Sequence, residues 1–174
     1  THQDAELVRA VLQRDRKATA EFVSLYSDAI YSYVRRRLIP RVDLVDDLVQ
    51  DVFVAALGSL AAFAGTSSLQ TWLLGIARHK VEDYYRDCLK QPAPLSELDE
   101  EGDEPRQPPV EYDDLLDGAK RQQRVLRVLA GLSEPYRAVL VWRYWEKQSA
   151  RDMAALSGKT EKALERLLAR ARRE

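Results

Sequence analysis

The chain has 174 residues, 27 basic and 28 acidic side chains and a formal net charge of -1, a length that suits one or two domains. A single Cys (Cys88) excludes an internal disulfide, and with only His2 and His79 beside it no zinc site can be built from Cys and His alone. No apolar run is long enough to cross a bilayer, the first residues are polar with no signal-peptide core, and the seven Gly are scattered rather than gathered into a phosphate-cradling loop. These features predict a protein of a reducing compartment, placed in the cytoplasm, with no membrane insertion, no metal, no cofactor and no catalytic residue.

In chain order the pattern is helical throughout, with no convincing alternating strand. Asp4 to Gln13 places Leu7, Val8, Val11 and Leu12 on one face, with Asp4 as its N-cap. Thr19 to Leu38 continues with Phe22, Val23, Tyr26, Ile30, Tyr33 and Val34, and Pro40 ends it. Asp43 opens a helix to about Phe63 with Val45, Leu48, Val49, Val52, Phe53, Ala56 and Leu60 apolar. Gly65-Thr66-Ser67-Ser68 breaks the chain, and Ser67 or Ser68 caps a fourth helix to about Leu89. That helix is expected to bury Trp72, Leu73, Ile76, Ala77, Val81 and Tyr84; Tyr84 and Tyr85 cannot both be buried, which leaves one exposed.

The charge is unevenly placed. Residues 1–91 carry 12 side chains of each sign, residues 92–117 carry one basic (Arg106) and ten acidic, and residues 118–174 carry 14 basic and six acidic. Five of the seven prolines fall between Gln91 and Pro109. Too little apolar area is present there to offset the ordering entropy, so 92–117 reads as an acidic linker. Its residues reach at most ~90 Å fully extended and average roughly 28 Å end to end as a flexible coil. The fold class is therefore all-α: a helical block at 1–91, the linker at 92–117 and a compact block at 118–174.

Helicity resumes at about Tyr112 and runs to Leu129. Ser133 caps the next helix, with Glu134 and Pro135 in its first turn; it buries Tyr136, Val139, Leu140 and Tyr144. Ser149 caps a short helix, Ala150 to Leu156, and after Ser157-Gly158-Lys159 Thr160 caps a last helix to Arg173. Two helices joined by a three-residue turn with Gly form a helix-turn-helix pattern. Leu164, Leu167, Leu168 and Ala171 make the buried stripe. Glu161, Lys162, Glu165, Arg166, Ala169, Arg170 and Arg173 are left on or near the outer face. The N-terminal residues of that helix suit a major groove, while Arg170, Arg172 and Arg173 suit phosphates. The same spacing also fits a plain helical hairpin with a solvated basic face.

Four segments in order carry a more specific likeness. Asp46-Asp47-Leu48-Val49-Gln50-Asp51-Val52-Phe53 resembles the core-polymerase-binding helix of region 2 in bacterial RNA polymerase sigma factors of the extracytoplasmic-function type, within the sigma-70 superfamily. Leu69-Gln70-Thr71-Trp72-Leu73-Leu74-Gly75-Ile76-Ala77-Arg78-His79, followed by Asp83-Tyr84-Tyr85-Arg86, resembles the promoter-melting segment. Leu132-Ser133-Glu134-Pro135-Tyr136-Arg137-Ala138-Val139-Leu140 resembles the opening of region 4, and Arg170-Ala171-Arg172 its terminal pattern.

The resemblance implies a transcription initiation factor that binds core RNA polymerase, melts the minus-10 element with region 2 and reads the minus-35 element with region 4. It assigns polymerase binding to Asp47, Gln50 and Asp51. It assigns minus-10 DNA to Thr66, Ser67, Ser68, Arg78, His79, Lys80 and Arg86, where hydroxyls both donate and accept to a splayed base and cations follow the opened strand. It assigns minus-35 DNA to Thr160, Lys162, Glu165, Arg166, Arg170, Arg172 and Arg173, and implies an anti-sigma partner. The linker would follow the polymerase's RNA exit path.

The sequence departs from the family pattern at His79, at Asp87-Cys88-Leu89, at Glu165 and Leu167, and at Ser157, where Leu156 is expected to take the usual inward place. The alternatives are a stand-alone helix-turn-helix regulator and a helical enzyme or metal protein; the latter has only scattered carboxylates, such as Asp43, Asp46, Asp47 and Asp51, and the isolated His79 to draw on.

Overall fold

A computed structural model describes residues 2–93 and 118–174. Among these residues the chain is helical and has no strand: α1 His2–Leu12, α2 Arg16–Arg37, α3 Val45–Ser59, α4 Leu69–Lys90, α5 Gly118–Gly131, α6 Glu134–Tyr144, α7 Ala150–Ser157 and α8 Glu161–Ala171. The chain divides into two compact units, Thr1–Asp83 and Tyr84–Glu174. The division falls inside α4, not in the acidic stretch. Of the expected linker 92–117, residues 94–117 lie outside the described residues, as does the expected helical start at Tyr112.

In the first unit α2 packs on both α1 and α3. Phe22 is fully buried and joins the layers edge-on, with Tyr26 at 5.6 Å and Phe53 at 6.1 Å between ring centroids. Ile30, Val34, Val45, Val52, Ala56, Leu60, Leu69, Leu73 and Ala77 complete a core at helical spacing. Two starts differ from expectation. Asp4 does not cap α1, because the helix begins at His2; its carboxylate instead accepts from the Tyr26 hydroxyl at 3.5 Å. Asp43 does not open α3, because the Arg41 guanidinium grips it in a fork, Nε to Oδ1 at 2.9 Å and Nη2 to Oδ2 at 2.8 Å. The segment Val42–Leu44 is a 3-10 turn, and α3 starts at Val45. The cap that the periodicity misses is Asp15, which accepts from the amides of Lys17 and Ala18 and opens α2.

In the second unit α8 packs against α6 and α7. The centre is α6, buried on nearly every side through Pro135, Tyr136, Arg137, Ala138, Val139, Val141 and Trp142. Tyr144, expected inside, is 49% exposed, because Trp142 fills the inward position at the end of the helix. Leu140 is half-buried. Ser133 occupies the N-cap position but makes no cap bond, and its buried hydroxyl lacks a hydrogen-bond partner.

The last two turns of α4 belong to this unit's interior. Tyr85 is 2% exposed and stacks on Trp142, centroids 5.2 Å apart and planes at 17°. Tyr84 is half-buried, and its hydroxyl donates to Glu134 Oε2 at 3.3 Å. The expectation that one of these tyrosines is exposed is therefore overturned. Each finds its own partner on α6, one for its ring and one for its hydroxyl. Cys88 Sγ reaches the same Glu134 oxygen at 3.7 Å, and Arg137 pairs with Glu134 Oε1 at 3.3 Å while donating to the Leu132 carbonyl at 3.1 Å. A half-buried carboxylate is thus met from both elements.

Candidate nucleic-acid interface

The helix-turn-helix is built from two caps and one left-handed turn. Ser149 and Asp152 form a reciprocal box that starts α7. Gly158 ends α7 at φ +72°, a conformation open to Gly at little cost, and its amide donates to the Ala154 carbonyl at 3.0 Å. Thr160 then starts α8, its hydroxyl accepting from the Ala163 amide at 3.2 Å.

Met153 is fully buried under the motif and Ala154 is half-buried. Ser157 takes the inward position and Leu156 is only half-buried, because a small residue is what the close turn admits; the Ser157 hydroxyl accepts from the Lys159 amide at 3.3 Å. Leu156 therefore does not take the expected inward place.

On α8 Leu164, Leu167, Leu168 and Ala171 are buried, as the periodicity predicts. Thr160, Lys162, Glu165, Arg166, Arg172 and Arg173 are exposed, and Arg170 is half-buried. The Thr160 hydroxyl is committed to its cap. The Arg172 guanidinium lies 5.6 Å from the centre of the Tyr144 ring, which restrains it at the edge of the motif.

Asp47, Gln50 and Asp51 are exposed on α3. The same stripe runs on through Val54, 64% exposed, and Leu57, 36% exposed. Periodicity alone misses these two apolar side chains, because it assigns apolar residues inward; the spacing 47, 50, 51, 54, 57 is the signal that finds them.

The loop before α4 turns at Gly65, φ +68°. Thr66, Ser67 and Ser68 are exposed. Ser68 is the cap: its Oγ accepts from the Thr71 amide at 3.1 Å and sits 2.8 Å from Thr71 Oγ1. Ser67 Oγ donates to the Ser68 carbonyl at 3.3 Å. Trp72 is half-buried, not a core residue, and tilts against Phe63 across the loop's two ends, ring centroids 5.3 Å apart.

Further along α4 the exposed Arg78 and His79 both face Glu82, at 3.6 and 3.4 Å, and Lys80 is half-buried. Arg86 stands apart from them. Its Nε donates to the Leu156 carbonyl at 2.7 Å, at the end of α7.

Comparison with known proteins joins these surfaces. The family model for sigma-70 region 2 matches residues 22–89, and the model for sigma-70 region 4 matches residues 122–174. RNA polymerase sigma factor YlaC of Bacillus subtilis (strain 168) is 29% identical over 162 residues, 92% of this chain and 91% of that protein. The ECF RNA polymerase sigma-E factor of Escherichia coli (strain K12) is 29% identical over 160 residues, 88% of this chain and 82% of that protein. Among solved structures, that of CnrH in complex with the cytosolic domain of CnrY aligns at 27% identity and a TM-score of 0.42, covering 96% of this chain and 90% of that one. Region 2 on the first block and region 4 on the last, in that order over more than half of its residues, place the chain in the sigma-70 family, as a sigma factor of the extracytoplasmic-function type.

Proposed function

We propose that this chain directs core RNA polymerase to specific promoters as a transcription initiation factor, the polymerase supplying the chemistry and the chain supplying no catalytic group. The observation that carries this reading is the presence of both sigma regions in order, the second of them a capped helix-turn-helix whose last helix has one apolar face buried and its cations outward. Asp47, Gln50 and Asp51 are the polymerase-binding residues, with Val54 and Leu57 extending their stripe by apolar contact. Thr66, Ser67 and Ser68, with Arg78, His79 and Lys80, serve the minus-10 strand. Arg86, whose Nε is held by the Leu156 carbonyl, joins them through its remaining donors.

On α8 Lys162, Glu165 and Arg166 face base edges, Thr160 positions the helix, and Arg170, Arg172 and Arg173 meet phosphates. The protein acts in the cytoplasm, where an anti-sigma protein is its regulator. The test is transcription from a promoter library by core polymerase with and without this chain. Initiation at a defined set of promoters only when the chain is present supports the reading. DNA binding with no effect on polymerase would instead identify a stand-alone regulator.

A further inference from the structure

The recognition helix carries its charges on separate edges. With Leu164, Leu167, Leu168 and Ala171 buried, the helical repeat sets the outward line through Lys162, Arg166, Ala169 and Arg173. Glu161 and Glu165, one turn apart, lie on one side of that line, and Arg170 lies on the other. Both glutamates are exposed.

The two acids differ in what the fold gives them. Glu161 is in the first turn, directly after the Thr160 cap, where the helix dipole favours a carboxylate. Glu165 is a turn further in, beyond most of that dipole. It is one turn from a like charge, an arrangement unfavourable to a helix. It is also the closer of the two to the outward line. Lys162, three residues earlier, offers an opposite charge at a spacing that supports a helix only weakly on an exposed face, and a DNA phosphate would repel the carboxylate.

A base edge would not. An ionised carboxylate only accepts hydrogen bonds. In the major groove the donors are cytosine N4 and adenine N6, and adenine sets the N7 acceptor beside its donor, where a second carboxylate oxygen would meet a lone pair. Cytosine offers its amino group with no acceptor beside it on the same base. The neighbouring Lys162 and Arg166 suit guanine O6 and N7. The edge as a whole therefore suits G·C pairs.

We infer that Glu165 is a specificity-determining residue that accepts a hydrogen bond from N4 of a cytosine in the upstream promoter element. This inference rests on the proposed placement of α8 in the major groove. The full chain, bound to core polymerase, is tested on promoters randomised across the minus-35 element, alongside Glu165→Gln and Glu165→Ala. The parent is expected to select cytosine at one position. Glu165→Gln should move that position toward adenine, which a side-chain amide meets at N6 and N7. Glu165→Ala should lower the cytosine preference there roughly 5-fold, the low end of what a bidentate pair supplies, and leave the other positions as they were. Glu165 is exposed, so circular dichroism of both variants should match the parent.

If all three proteins select the same bases at every position, the inference is overturned while the groove placement stands. If the parent selects no upstream motif, and Lys162→Ala with Arg166→Ala leaves DNA binding unchanged, the groove placement fails and takes the inference with it.

Discussion

Ser149 and Asp152 hold each other's backbone: the Ser149 hydroxyl accepts the Asp152 amide at 3.0 Å, and the Asp152 carboxylate accepts the Ser149 amide at 3.2 Å. The helix they start has eight residues, too few to be stable on its own, so it depends on this start together with its packing on α8. Ser149→Ala should destabilise the protein by about 1 kcal/mol, read as a lower urea midpoint.

The box also sets an acid limit. The bonds from Ser149 hold the Asp152 carboxyl below its ordinary 3.8. A lowered folded-state pKa stabilises above the unfolded value and loses that contribution as pH falls through the folded one. Acid unfolding of Ser149→Ala should accordingly begin at higher pH than in the parent, and coincident acid transitions would contradict the role of the box.

Cys88 predicts the opposite limit. Burial, more than any neighbour, pushes its thiol up from 9.0 to about 11; the Tyr84 bond opposes this and the Glu134 charge adds to it. The folded state keeps a proton that the unfolded chain releases, so this stabilisation is complete below about pH 9 and is lost as pH rises toward 11, by about 3 kcal/mol at most. Tyr84, raised first of all by its own burial, extends the loss to still higher pH. Urea midpoints measured at intervals across this range should fall for the parent and fall less for Cys88→Ala. Equal slopes for the two proteins would rule out the thiol as the cause.

Asp47 and Asp51 are exposed, so Asp47→Arg with Asp51→Arg should leave far-ultraviolet circular dichroism unchanged. Reversing two charges in a polymerase interface should weaken association by more than about tenfold, since like charges brought together cost several kcal/mol. Titration of labelled core polymerase measures this. Undiminished affinity would place the interface elsewhere.

Arg172 and Arg173 are exposed at the C-terminal end of α8. The affinity of the full chain for duplex DNA should fall steeply with salt. Arg172→Ala and Arg173→Ala should each reduce the log–log slope by roughly 0.9 for every phosphate left without its cation. A slope unmoved by either change would mean that neither side chain meets phosphate.

Legibility from sequence follows locality. The buried stripe of α8 and the caps Ser149 and Thr160 each depend on residues within one or two turns, and their spacing displays them. Asp15 carries a local signal as well, but the apolar pattern that places the start of α2 begins later than its cap. Asp43 is lost to a competitor two residues away, the Arg41 fork. Tyr84, Tyr85 and Tyr144 are not legible, because what settles their burial is which ring or carboxylate stands opposite. Glu134 is 50 residues from Tyr84, a separation at which helical periodicity carries no information. The charges of the candidate interface can be read directly; that Arg86 is engaged with the end of α7 cannot.

The stacking of Tyr85 on Trp142 sets where the chain can be cut. A fragment starting at residue 118 keeps every helix of the matched region 4, yet it loses the ring that covers the indole of its central helix, together with Cys88 and the hydroxyl that meets Glu134. Such a fragment would show water an aromatic face that the whole chain keeps dry, and Trp142 would emit at longer wavelength. The extent of the DNA-reading motif is therefore a poor guide to the smallest piece that folds, and a workable C-terminal fragment must carry the last two turns of α4 with it.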